Sequence, residues 1–225
     1  MTLQHVDILF QLIAFLFAIS VHESAHAWTA NRRGDPTARM LGRVTLNPIK
    51  HIDPVGTVLL PVIAMLTHFP VIGWAKPTPV DPRNFKNPVL DDVLTSVAGP
   101  VSNFIVATGA TLFLAAIAVA VPGGRMVVQG ALSGFAYGNS PFVPLSILLY
   151  QFLVINVVLA VFNLIPVPPL DGSHVLRHFL SDKVRQVYDT MGIFGLMALV
   201  FFGGNLLMAL IRPVLLFYDS ILLAI

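Results

Sequence analysis

Three ionisable side chains, His22, Glu23 and His26, stand at the end of an apolar run that begins at Val6, and no other feature narrows the fold so far. An ionisable group inside a bilayer costs roughly 2.5–3.5 kcal/mol on insertion scales, so three together demand a role. In an α-helix, residues four apart lie on one face about one turn apart, which lets both imidazoles grip one ion. Glu23 sits beside that face, where a carboxylate can take a proton from an attacking water. His-Glu-x-x-His on a helix is the zinc-hydrolase spacing, and Glu23 is the only glutamate in the chain.

Composition decides what surrounds that helix. Over 225 residues, 56% are hydrophobic and 11% charged, which excludes a soluble domain. The expectation is an all-α polytopic membrane protein in a lipid bilayer: about four transmembrane helices, a re-entrant segment and a short extended, β-like stretch. The loops are too short for a separate soluble module, so residues 1–225 read as one membrane-embedded domain. With no cysteine, any metal must be held by His and carboxylates. A formal charge of +2 is too small to suggest nucleic acid. The first apolar helix carries the metal motif, so it is not read as a cleaved signal peptide.

In chain order, Val6–Ala30 is the first expected span, stopped by Gly34 and Pro36 and flanked by Arg32 and Arg33. Thr37–Pro54 is polar. Val55–Val71 is apolar, short and interrupted by Pro61 and Pro70, which makes it the re-entrant candidate. Trp74–Pro88 is proline-rich, hence strand-like or irregular. Asp91–Val121 holds the next span, Pro122–Pro141 a glycine-rich loop, and Phe142–Leu164 a further span. Ser173–Asp189 is amphipathic, Thr190–Ile211 a last span, and Pro213–Ile225 an apolar tail at the interface.

Charge bias then selects the topology. If Val55–Val71 returns to the side it entered from, only Arg125 and Arg212 of the 13 Lys and Arg lie outside. If it spans instead, Lys76, Arg83, Lys86, Arg177, Lys183 and Arg185 move outside as well. The re-entrant reading therefore wins, with the N-terminus outside and the histidines nearer the cytoplasmic face, about 15 Å of helix rise from Arg32. It also puts Asp171, in the turn after the Phe142–Leu164 span, on the same side as His22 and His26. That makes Asp171 the favoured third ligand. Asp35 and Asp53 lie in polar loops and compete poorly, while His174 and His178 share a face with Asp171 and offer an alternative or second site.

His22-Glu23-Ser24-Ala25-His26, followed by Asn163-x-x-Pro166-x-Pro168-x-x-Asp171-Gly172, resembles the site-2 protease family of intramembrane zinc metalloproteases. Ala98-Gly99-Pro100-Val101-Ser102-Asn103 is similar to that family's Gly-Pro-x-x-Asn element. The resemblance covers about residues 6–180 and leaves 190–225 as an accessory helix and tail. It implies one Zn2+ per chain held by His22, His26 and Asp171, with Glu23 as general base. It also implies cleavage of transmembrane-helix substrates, with Asn163 and Asn103 contacting the substrate backbone. The resemblance is to compact members that lack a PDZ module, in a bacterial or archaeal cell membrane.

A substrate helix hides its backbone in its own hydrogen bonds, so the extended stretch Val71–Pro82 is a candidate for pairing with an unwound substrate, or else a plain surface loop. The rival class is metal transport, which needs ionisable groups along a path through the bilayer. Phe104–Val121 and Phe142–Val161 contain no charged residue, which favours a one-sided chamber.

Overall fold

Three of the long apolar runs each fold as one long helix. The structure, a computed structural model, describes residues 3–59, 63, 74–135 and 140–225. In chain order the helices are α1 (Leu3–Arg33), α2 (Thr37–Met40), α3 (Pro88–Ala120), α4 (Gly124–Ser133), α5 (Phe142–Asn163), α6 (Asp171–Arg177), α7 (Asp182–Phe202) and α8 (Gly204–Ala224). Among the described residues four helical stretches are long and apolar enough to cross a membrane: Asp7–Arg33, Pro88–Ala120, Phe142–Asn163 and Gly204–Ala224. A fifth, within α7, is broken by a bend of 57° after Gly192. The protein is a multi-pass, helical membrane protein, as composition required.

Helix ends follow local chemistry. Two arginines in the last turn of α1 suit the partial negative charge of a helix C-terminus. The chain then leaves through Gly34 at φ +120°, where a Cβ would stand 2.8 Å from the Asn84 carbonyl oxygen. Pro88 opens α3, a position where its missing N–H costs nothing. Arg33 pairs with Asp91 in the first turn of α3 through contacts of 2.5 and 2.6 Å.

Three segments differ from the sequence reading. Pro122–Pro141 is not wholly a loop, since α4 lies within it between Gly123 and Gly134, both at φ 73°. Val127, Val128 and Ala131 form its buried stripe, and Gly124 packs so closely on Ile117 that a Cβ would sit 2.0 Å from that carbonyl oxygen. The glycines that suggested a loop are a helix's two ends and its packing face. The last span is Gly204–Ala224 and not Thr190–Ile211, because the chain breaks at Gly203, where a Cβ would meet the Leu199 carbonyl oxygen at 2.3 Å. Pro213–Ile225, read as a tail, therefore falls mostly inside α8.

The expected extended stretch is not seen as a strand. Residues 74–80 carry no regular structure, and no strand occurs among the described residues. Prolines at 77 and 79 remove the donors a ladder needs. Of the re-entrant candidate Val55–Val71, residues 55–59 complete a single π-helical turn, Pro54–Leu59, and most of the remainder lies outside the described residues.

The chain divides into two compact units. One comprises Met1–Ala18, Asn103–Phe162 and Asn205–Ile225, and its core is apolar, built on Leu114, Val128, Leu153, Val157 and Leu222. Within it Asn103 donates to the Asn156 carboxamide oxygen at 2.8 Å. The other comprises Ile19–Ser102 and Asn163–Gly204. Its buried side chains are polar to an unusual degree and include His22, His26, Asp35, Arg43, His51, Asp92 and Thr95. Buried polar groups must find partners, and three of these, His22, His26 and Thr95, meet at one place.

Candidate metal centre

Helical spacing puts His22 and His26 on one face of α1, both buried, with ring centroids 4.6 Å apart. Asp171 reaches them from the first turn of α6. The proline turn after α5 ends one helix and begins the next so tightly that a Cβ on Gly172 would stand 2.3 Å from the Leu164 carbonyl oxygen. His22 Nε2 lies 3.0 Å from Asp171 Oδ2, and His26 Nε2 lies 3.4 Å from Asp171 Oδ1. The three ligating atoms all fall within 4.8 Å of one another. Tetrahedral bonds of about 2.0–2.1 Å would set ligand atoms roughly 3.3 Å apart, so the spacing suits zinc.

Three further observations fit a cation there. His26 Nδ1 lies 2.7 Å from the Thr95 carbonyl oxygen, which can only accept, so Nδ1 carries the proton. In the neutral ring Nε2 is then a lone pair facing a carboxylate, two acceptors that a cation reconciles. Asp171 Oδ2 is buried and has no hydrogen-bond partner. Finally, α3 presents Gly99 to both rings: a Cβ there would stand 2.4 Å from His26 Nε2 and 2.6 Å from His22 Cε1.

Glu23 is half-buried beside this group, and its Oε2 accepts from both the backbone N–H and the hydroxyl of Thr78. The alternative ligands are engaged elsewhere: His174 Nδ1 and His178 Nε2 hold opposite oxygens of Asp92, at 3.2 and 2.8 Å. No other group of three His or acidic residues among the described residues gathers as a metal site would. Asn163 is half-buried at the end of α5, and Asn103 is fully buried in the other unit.

Comparison with known proteins gives the donor set its context. The family model described as Peptidase family M50 matches residues 10–202. The chain belongs to this family. As an M50 peptidase it is 40% identical over 174 residues to "Putative zinc metalloprotease YwhC" of Bacillus subtilis, covering 77% of this chain and 70% of that one. It is 27% identical over 188 residues to "Putative zinc metalloprotease Rip2" of Mycolicibacterium smegmatis, covering 82% of this chain and 62% of that one. No solved structure matches it significantly. This M50 chain is a zinc metalloendopeptidase with membrane-spanning helices, and no PDZ domain is found within it.

Sequence reasoning noted the Ala98-Gly99-Pro100 element without seeing why glycine is needed, and it missed Thr78, Thr95 and Asp92. The signal for Gly99 was a glycine in mid-helix, which costs helix stability and so implies a close approach. Gly99→Ala is expected to push the imidazoles off their positions and weaken zinc affinity about 10–100-fold, the range seen when groups supporting a metal's ligands are disturbed. Competition against a chromophoric zinc chelator measures it, and wild-type affinity would contradict the cradle.

Proposed function

We propose that this M50 peptidase hydrolyses peptide bonds within or beside the transmembrane helices of other membrane proteins, as regulated intramembrane proteolysis requires. One observation carries the reading: the His22 and His26 donors lie on a helix long and apolar enough to cross the bilayer, facing Asp171. In this reading His22, His26 and Asp171 hold one zinc, which supplies a Lewis acid to activate water and polarise the scissile carbonyl.

The chain's own residues do the rest. Glu23 takes the proton of the attacking water on a carboxylate oxygen and returns it to the leaving amine. The Thr95 carbonyl fixes the His26 tautomer, and Gly99 keeps the face of both rings clear of side-chain bulk. A substrate helix must unwind locally before its carbonyl can be attacked, and the freed backbone groups then need partners. Asn163, half-buried at the end of α5, is assigned that contact. Asn103, with no exposed surface and its amide on Asn156, fits helix packing instead. The surplus of Lys and Arg in Asn31–Lys86 and Arg177–Arg185 supports a cytoplasmic location for those segments, with the N-terminus outside and the site opening toward the cytoplasm.

The test is to reconstitute the full chain with single-span model substrates in liposomes and to map the cut bonds by mass spectrometry. Cuts are expected within or next to the span, in its cytoplasmic half, and should disappear with a zinc chelator. Cleavage confined to soluble loops remote from the span would overturn the proposal.

A further inference from the structure

We infer that Thr78 is the positioning residue of this peptidase: it anchors one oxygen of the Glu23 carboxylate so that the other is presented as the proton acceptor. The inference rests on Glu23 acting as the general base. Two donors from one residue converge on Glu23 Oε2, the Thr78 backbone N–H at 2.9 Å and its hydroxyl at 2.7 Å. The hydroxyl oxygen also lies 3.0 Å from the Glu23 carbonyl oxygen, so its single proton is shared, with the charged carboxylate the nearer acceptor. Among the described residues Oε1 accepts no hydrogen bond. The two oxygens of the carboxylate are thereby made unequal, one fixed and one available.

The segment that delivers Thr78 is built to be stiff. Pro77 and Pro79 bracket it, each locking its own φ and holding the residue before it in extended geometry. Thr78 is the one residue of the three with an N–H to give. The preceding residues are tied down on several sides. Trp74 N–H donates to Gly56 and Lys76 N–H to His51, at 3.2 and 2.9 Å. The Thr57 hydroxyl donates to the Trp74 carbonyl at 2.8 Å.

Arg43, buried to 5% exposure, gives its guanidinium to the carbonyls of Lys50, Lys76 and Pro77. This buried guanidinium is spent on backbone carbonyls, two of them in the residues that lead directly into Thr78. Beyond it, Asp35 accepts from Asp81 N–H at 2.8 Å and from the Asn84 amide at 2.9 Å, fixing the far end to the turn after α1. A flexible glutamate is thus given a fixed direction by a residue 55 positions away. A charge-assisted pair of hydrogen bonds is the strongest neutral-donor arrangement for doing so.

The experiment uses the full chain with zinc in liposomes, a single-span model substrate, and three forms: wild type, Thr78→Val and Thr78→Ser. Valine keeps the shape and loses the hydroxyl; serine keeps the hydroxyl. Thr78→Val should lower kcat about 10–100-fold, the scale of a misplaced reacting group. KM should stay within about twofold and zinc content should be unchanged, because neither binding nor metal ligation is touched. Thr78→Ser should recover most of the loss.

A readout independent of turnover is available because Glu23 is the only glutamate. Cell-free synthesis with glutamate labelled with 13C at its side-chain carboxyl marks this one carboxylate, whose resonance should move in Thr78→Val and hold in Thr78→Ser. An unmoved resonance, unchanged kcat in Thr78→Val, or Thr78→Ser as slow as Thr78→Val would each overturn the assignment. So would loss of zinc in Thr78→Val, since the contact would then be structural. Wild-type turnover in Glu23→Gln would instead remove Glu23 as the base, whatever the carbon resonance reports of the contact.

Discussion

Glu23→Gln is expected to bind zinc as the wild type does and to cut its substrates about 10³–10⁴-fold more slowly, the upper part of the range for losing a general base that must also return the proton. The substitution keeps the side chain's shape. Its amide can still accept from Thr78 through the oxygen, so the anchor survives while the proton acceptor is gone. Removing a charge from a partly buried site does not lower stability by itself. Zinc content and cleavage rate should be read on the same purified sample. Near-normal cleavage would discard Glu23 as base, and loss of zinc would mean that the carboxylate takes part in holding the ion.

Asp171→Ala is expected to lower zinc affinity by about 100-fold or more, beyond what disturbing a mere supporting group costs. Two histidines one turn apart on α1 remain, and a catalytic zinc keeps three protein ligands and an open position. The nearby histidines give no rescue, since His174 and His178 are both held by Asp92. Elemental analysis decides it, with His26→Ala as the reference for losing one ligand. Full zinc in Asp171→Ala would take Asp171 out of the donor set. The comparison is informative because the two motifs lie far apart in sequence, and a shared effect reports their contact.

Much of this was legible from residues alone, for a physical reason in each case. The pairing of His22 with His26 needs only the helical period, which long apolar runs enforce. Asp171 was favoured because charge bias put it on the same side as His22 and His26, and it gathers with them in the structure. Spans broken by few glycines were read to within a few residues. What escaped was either local glycine geometry or contact between distant segments. Glycines look alike in a sequence whether they form a loop, cap a helix as Gly203 does, or clear space for a neighbour as Gly99 does. Thr78 reaches Glu23 across 55 residues and Asp92 reaches His178 across 86, and no periodicity announces such meetings. Asn103 is buried and donates to Asn156, the contact an amide inside a bundle makes when another amide is within reach.

The segment from Trp74 to Pro79 has one more consequence, for crowding in the bilayer. An extended backbone with unspent donors invites a second chain to zip onto it, the route by which edge strands seed aggregates. Here the N–H groups of Trp74, Lys76 and Thr78 are already committed within the molecule, and Pro77 and Pro79 have none. Among the described residues of this segment, only the Ala75 N–H has no recorded partner. The carbonyls of Trp74, Lys76 and Pro77 are likewise engaged, by Thr57 and Arg43, so an incoming peptide finds few groups with which to extend a ladder. The protein thereby holds an extended strap against the Glu23 carboxylate while offering neighbouring copies little template for self-association.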